Sequence, residues 1–340
     1  MKILFLILTS YIIILLTNNY FIKRGWLLNF NGQLHQKFIG NTKIPLTGGI
    51  FILLSSIYVF YDYNNYFYLV CIFVYFVGFC ADKNLIVSPK KRFLFQMIII
   101  LIYVSLFKLQ IGPTRVIFLD FFLHQIYLNI LFTTFCLLIL INGTNFIDGL
   151  NGLVLGYYSL VSLILYWLNL HELLILNENK LIFFFLILLL LLIFNLRNKL
   201  FLGDGGSYLI GFIVGNFLIE IHQLNKIISP FFIVLLLWYP CFENLFSIIR
   251  KFLIKKSPLK PDNSHLHQLL FKFIIDRFGL QKNYSNNLTS FVILMFNVIT
   301  FLIGSTNIYN SRLHILLIIM NIVFYIVLYF KFYKASNLKL

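Results

Sequence analysis

Leu181-Ile-Phe-Phe-Phe-Leu-Ile-Leu-Leu-Leu-Leu-Leu-Ile-Phe194 carries no polar side chain, and its apolar residues cover the whole circumference of a helix. Water selects for a helix with one apolar stripe. A helix that is apolar all round suits hydrocarbon, where the backbone has only itself to bond to. Working outward, comparable blocks stand at 3–17, 50–61, 66–80, 93–107, 126–141, 153–168, 208–219, 227–242, 291–303 and 313–330. With residues 181–194 that makes eleven. Several are shorter than the ~20 residues a span requires, so flanking Tyr, Asn and Gly must complete those helices. The chain is 60% hydrophobic and 11% charged, whereas a soluble domain carries about 25% charged residues. The fold expected is therefore all-α: a polytopic membrane protein with about 11 transmembrane helices, forming a single domain over residues 1–340. Met1-Lys2 and the apolar block behind them could pass for a signal peptide. No small-x-small cleavage site follows, so the block reads as an uncleaved first span.

The net charge of +16 would suit a nucleic-acid binder in a soluble chain. Here the basic residues are better read as markers of the cytoplasmic ends of spans, and no nucleic-acid partner is expected. If the blocks cross in alternation, loops 18–49, 81–92, 142–152, 195–207, 243–290 and the tail from 331 share one side. They hold 21 of the 27 Lys and Arg residues, leaving six opposite. This asymmetry predicts an external N-terminus and a cytoplasmic C-terminus. The four cysteines lie in or beside apolar blocks with no C-x-x-C pair, which argues against a disulfide framework or a zinc site.

The acidic residues divide by side. Asp62, Asp120, Glu172, Glu178 and Glu220 fall in short outer turns, whereas Asp82, Asp148, Asp204, Glu243 and Asp262 lie among Gly, Asn or basic residues at cytoplasmic helix ends. A carboxylate at the edge of hydrocarbon is costly and marks a functional candidate. In loop 142–152, Asn142, Asn145 and Asp148 recur every third residue and share a helix face. Their oxygens suit a hydrated cation or a phosphate-bearing ligand, and helix capping by Asn, Asp and Gly would look similar. In loop 195–207, Gly203, Gly205 and Gly206 precede an apolar helix, where open backbone N–H groups can hold phosphate oxygens. Asp204 among them can instead ligate Mg²⁺. Lys43 precedes Pro45-Leu-Thr-Gly-Gly49 and again suits phosphate or a plain turn. His265 and His267 sit beside basic residues, as donors to a diphosphate or as part of a headgroup-facing loop.

Pro45-x-Thr47-Gly48-Gly49, Gly78-x-x-x-Asp82, Asn142-x-x-Asn145-x-x-Asp148-Gly149-x-Asn151-Gly152-Leu153, Phe201-x-Gly203-Asp204-x-Gly206-Ser207 and Pro261-Asp262-x-x-His265-Leu266-His267 occur in that order. Together they resemble the polyprenyl-phosphate N-acetylhexosamine-1-phosphate transferases, the bacterial glycosyltransferases of family 4, over roughly residues 40–290. The eleven expected spans with an external N-terminus also resemble the branch that initiates cell-surface polysaccharides. The resemblance implies a multi-pass enzyme of the bacterial cytoplasmic membrane with its site on the cytoplasmic face. It also implies Mg²⁺ as cofactor, with Mn²⁺ as an alternative ion, and a UDP-sugar and a polyprenyl phosphate lipid as partners. Asp82, Asp148 and Asp204 would be catalytic, with Asp204 and Asp148 at the metal. Lys43, Asn142, Asn145, Gly203, Gly205, Gly206, His265 and His267 would bind substrate. The chain departs from the family at Ala81, where a second acid usually precedes Asp82, and at Gln268, where some members carry another histidine. An inactive relative acting as a structural or regulatory partner is therefore a second reading. A transporter is a third, disfavoured because the spans are nearly free of ionisable groups.

Overall fold

The computed structural model describes residues 2–29, 43–60, 66–174, 178–255, 257 and 264–337. Asp62 and Asp262 lie outside these residues. The chain folds into thirteen α-helices among the described residues: α1 (Lys2–Arg24), α2 (Gly48–Phe60), α3 (Phe67–Asp82), α4 (Pro89–Phe107), α5 (Ile117–Leu123), α6 (Ile126–Ile147), α7 (Leu153–Trp167), α8 (Glu178–Leu196), α9 (Gly203–Leu224), α10 (Pro230–Leu253), α11 (Leu266–Phe278), α12 (Lys282–Ser305) and α13 (Ser311–Asn337). No strand forms among the described residues; one antiparallel bridge joins Leu28 to Pro45. Seven helices (α1, α6, α8, α9, α10, α12 and α13) are long and apolar enough to cross a membrane, and α2, α3 and α7 are shorter apolar helices. The protein is an all-helical, polytopic membrane protein. Each of the eleven apolar blocks falls on its own helix, while α5 and α11 lie outside them.

α9 forms the centre, packed against α2, α3 and α6. Its glycines allow this. A Cβ on Gly211 would meet the Thr144 side chain at 2.7 Å, and one on Gly215 would meet Leu140 at 2.5 Å. Without a hydrophobic force between helices in lipid, close backbone approach through small residues supplies the packing. At the periphery the apolar surface turns outward. Phe5 on α1 is 68% exposed and Phe330 on α13 is 60% exposed, as expected of lipid-facing positions.

α10 contains Pro240, which has no N–H for the carbonyl of Leu236 one turn earlier. The Tyr157 hydroxyl from α7 donates to that carbonyl at 3.0 Å, so the freed acceptor is satisfied inside the bundle. On α6, Gly143 faces the Pro240 carbonyl with no room for a Cβ. The proline therefore marks a built contact between α6 and α10.

Candidate functional site

The start of α9 is the structural centre of the site. Gly203 has φ of +71°, a left-handed conformation natural to glycine. A Cβ there would also lie 2.6 Å from an Asp82 carboxylate oxygen. From the end of α3, Asp82 accepts the backbone N–H of Asp204 at 2.9 Å and of Gly205 at 3.2 Å. Of the glycine N–H groups expected to stand open for phosphate, that of Gly205 is thus engaged by a carboxylate of the chain itself, together with the N–H of Asp204. Gly205 instead allows α3 to approach, since a Cβ on Gly78 would come within 2.4 Å of Gly205 Cα. Gly206 likewise lies against Gly49.

The Pro-x-Thr-Gly-Gly segment also serves packing. Gly48 N–H donates to Phe201 O at 2.9 Å, Gly49 N–H to Leu202 O at 3.1 Å, and Phe201 N–H to Pro45 O at 2.9 Å. Asn18 of α1 ties the two segments together. Its amide donates to Lys199 O at 3.1 Å and its oxygen accepts the Thr47 hydroxyl at 2.5 Å. The glycine pair is therefore not an open phosphate cradle: its N–H groups dock the start of α2 onto the loop before α9. Lys43 is exposed at the head of this segment, and among the described residues no hydrogen bond or ion pair brings it to the carboxylates.

Asp204 has both carboxylate oxygens engaged. Arg92 of α4 pairs with one at 2.8 Å, and the Asn145 amide of α6 donates to the other at 2.8 Å. The Asn145 amide also reaches Ser207 Oγ at 3.0 Å. One turn earlier on α6, Asn142 donates to Gln96 Oε1 at 3.0 Å. Arg92 and Gln96 are four apart on α4, so they meet the α6 pair three apart, as neighbouring helix faces do. Sequence reasoning missed Arg92 and Gln96. Lys90-Lys91-Arg92 looks like one anchor cluster, and only the four-residue spacing from Arg92 to Gln96 hints at an inward face.

Asp148, immediately after α6, is half-buried. Its carboxylate has no hydrogen-bond partner among the described residues. Burial, and then the negative charges of Asp204 and Asp82, push its carboxyl well above the usual carboxylate range. The backbone behind it is held firmly. Asn151 N–H donates to Asn286 Oδ1 at 2.7 Å and Gly152 N–H to Asn195 Oδ1 at 2.5 Å, with Gly152 at φ +76°. On its other side, the His267 ring lies 2.9 Å from where a Cβ on Gly149 would stand. His267 is fully buried with no hydrogen-bond partner on either ring nitrogen among the described residues, and burial lowers its pKa to about 4. The His265 ring stacks on it at 5.6 Å and lies 5.3 Å from Phe146.

Among the described residues, no three His, Cys, Asp or Glu side chains form a closed metal cage. Mg²⁺ does not need one, because it takes one or two carboxylates and completes its shell with water and substrate phosphate. A free carboxylate crowded by two others is the donor set such a cation neutralises, so these residues fit the ion. Asp148 is the available ligand. Asp204, which its glycine-rich context singles out, would have to exchange Arg92 or Asn145 for the ion.

Residues 64–222 match the family model described as glycosyl transferase family 4. The undecaprenyl-phosphate alpha-N-acetylglucosaminyl 1-phosphate transferase of Salmonella typhi is 29% identical over 243 residues, covering 67% of this chain and 65% of that protein. A probable undecaprenyl-phosphate N-acetylglucosaminyl 1-phosphate transferase of Bacillus subtilis is 28% identical over 254 residues, 73% of this chain and 68% of the relative. The Thermotoga maritima undecaprenyl-phosphate alpha-N-acetylglucosaminyl 1-phosphate transferase is 26% identical over 239 residues, 68% and 69% of the two chains. The chain thus spans slightly under two thirds of the length of the Salmonella relative.

Proposed function

We infer from the family-model match over residues 64–222 and from the similar relatives that the chain is a member of glycosyl transferase family 4, and we propose that it transfers a sugar 1-phosphate, N-acetylhexosamine 1-phosphate by default, from a UDP-sugar to undecaprenyl phosphate. A nonbridging oxygen of the lipid phosphate attacks the β-phosphorus of the donor. The bond from that phosphorus to the bridging oxygen breaks, and UMP leaves with the electron pair. The product is an undecaprenyl diphosphate sugar, the first lipid-linked intermediate of a cell-surface polysaccharide. The observation that carries this reading is the convergence of Asp82, Asp148 and Asp204 with Arg92 at one end of the bundle.

Nucleophile and electrophile are both anions, so positioning and charge neutralisation carry the chemistry. Mg²⁺ held by Asp148 and Asp204, with Asn145 on a coordinated water, would supply the positive charge. Arg92, paired with Asp204 at 2.8 Å, would be free to meet the donor diphosphate if Asp204 held the ion. Asp82 keeps the start of α9 in place, which sets the height of Asp204. His265, His267 and Lys43 are assigned to the donor diphosphate. No general base is required, because a phosphate monoester with a second pKa of about 6 is mostly ionised at neutral pH. The eleven helices carrying the apolar blocks are read as spans, with the carboxylates facing the cytoplasm from the cytoplasmic membrane.

Membranes containing the protein, incubated with Mg²⁺, undecaprenyl phosphate and a panel of UDP-sugars, should release UMP with at least one donor. Silence with every donor and with Mn²⁺ as well, broken only by Ala81→Asp or Ala81→Glu, would instead identify an inactive relative.

A further inference from the structure

Glu243 lies inside α10, three residues past Pro240, and is 1% exposed. A carboxylate so buried is costly unless donors meet it. The start of α11 supplies two, and the Tyr325 hydroxyl of α13 bears on the same carboxylate. His265 Nδ1 lies 2.9 Å from Glu243 Oε1, and the Leu266 N–H donates to the same oxygen at 3.3 Å. Gln268 Oε1 accepts the His265 N–H at 3.3 Å and closes the turn. A carboxylate can only accept hydrogen bonds, so the proton on His265 must sit on Nδ1. Nε2 is then the nitrogen turned away from Glu243, on a ring flanked by Phe146 and by His267, which borders Gly149 beside Asp148.

We propose that Glu243 is a positioning residue for the diphosphate of the nucleotide donor: from within α10 it holds His265 by Nδ1 and pins the start of α11, so that Nε2 is presented to the loop carrying Asp148. With a second proton on the ring, Nε2–H donates to a diphosphate oxygen while Glu243 balances the charge. The pairing follows the general rule that a carboxylate behind a functional histidine sets its tautomer and ring orientation. The proposal rests on the diphosphate donor of the preceding reading, but UDP alone is enough to test it.

UDP binding to the purified full-length protein in Mg²⁺ buffer is measured by calorimetry for the wild type, Glu243→Gln, His265→Gln, the double variant and Glu243→Asp. Loss of one charge-assisted hydrogen bond predicts about tenfold weaker UDP binding for each of the two single Gln variants. The double variant should bind no worse than the weaker single one, because both remove the same contact, and Glu243→Asp should recover part of the affinity. In ¹⁵N-histidine spectra of the ligand-free protein, the resonance absent from His265→Gln should show a protonated Nδ1 that Glu243→Leu loses while the remaining spectrum stays folded. Unchanged UDP affinity in Glu243→Gln, multiplicative losses in the double variant, or a wild-type His265 with bare Nδ1 would each overturn the proposal. A protein that binds UDP in this Glu243-dependent way yet releases no UMP would overturn the transferase reading alone.

Discussion

Asp148 and Asp204 look equivalent as sequence, each a carboxylate among glycines and asparagines, yet their surroundings differ. Asp204 is bonded on both oxygens, whereas Asp148 has no such partner and is crowded by two negative neighbours. The difference is testable. Asp148→Asn removes the repulsion and should raise the melting temperature in divalent-free buffer by a few degrees, while abolishing the further stabilisation that Mg²⁺ gives the wild type and most UMP release. Asp204→Asn should also remove most UMP release, but it breaks the pair with Arg92 and should lower the melting temperature. Equal metal-free melting temperatures for both variants would refute the distinction. The buried His267 gives a pH dependence. The unfolded chain binds its proton near the ordinary histidine value of 6.5, and the folded chain only at about 4. Between those values the unfolded state holds more protons, so stability falls as pH falls from 6.5 toward 4, by roughly 3 kcal/mol at most for this group. Melting curves at pH 7 and pH 4.5 should show a smaller acid loss for His267→Gln than for the wild type. The carboxylates were legible in the sequence because each breaks an apolar pattern. Their cationic and amide partners were not, because Arg92 sits in a basic cluster and Gln96 in an apolar block.

At the scale of elements, the glycines expected to cradle phosphate turn out to bring helices together. Sequence reasoning could place glycines at a helix start but could not tell an open N–H from one engaged by a remote carboxylate, since Asp82 and Asp204 are 122 positions apart. The α3–α9 contact is close because glycine meets glycine there. A Cβ on Gly78 would meet backbone atoms of Asp204 and Gly205 within 2.5 Å, and backbone cannot swing aside. Gly78→Ala should therefore separate the two helices, at about 1–3 kcal/mol or more, and pull the Asp82 cap from α9. Gly112→Ala, whose Cβ would find its nearest neighbour at 3.4 Å on the His222 side chain, is the matched control. Folded yield in detergent and Mg²⁺-dependent stabilisation should fall in the first variant and hold in the second. Of the helices, those with apolar blocks were readable by composition. α11 was not, because it mixes Leu and Phe with Lys, Asp and Arg in one amphipathic stretch. α5 is only seven residues long.

For the whole molecule, the direction in which the chain enters the membrane decides whether the carboxylates meet a cytoplasmic nucleotide. α3, α6 and α9 bring Asp82, Asp148 and Asp204 to one end of the bundle, so a single orientation serves all three. If the eleven apolar blocks cross in alternation, the basic residues divide 21 to six between the two sides, and Lys and Arg resist translocation while acidic residues contribute little. The end bearing the carboxylates should therefore be cytoplasmic. Asn151 is a poor reporter of this, being 3% exposed, so the test needs positions that a reagent can reach. Lys90 and Lys91 at the start of α4 are exposed, as are Lys226 between α9 and α10 and Arg312 at the start of α13. After replacement of Cys71, Cys80, Cys136 and Cys241, single cysteines at Lys226 and Arg312 should react with an impermeant maleimide in intact cells. Those at Lys90 and Lys91 should react only once the membrane is opened. The reverse pattern would put the carboxylates on the wrong side for a nucleotide donor, and the charge asymmetry would then have to reflect base composition rather than topology. A mixed pattern, with Lys90 and Lys226 labelled alike, would break the alternation itself and reduce the number of spans below eleven.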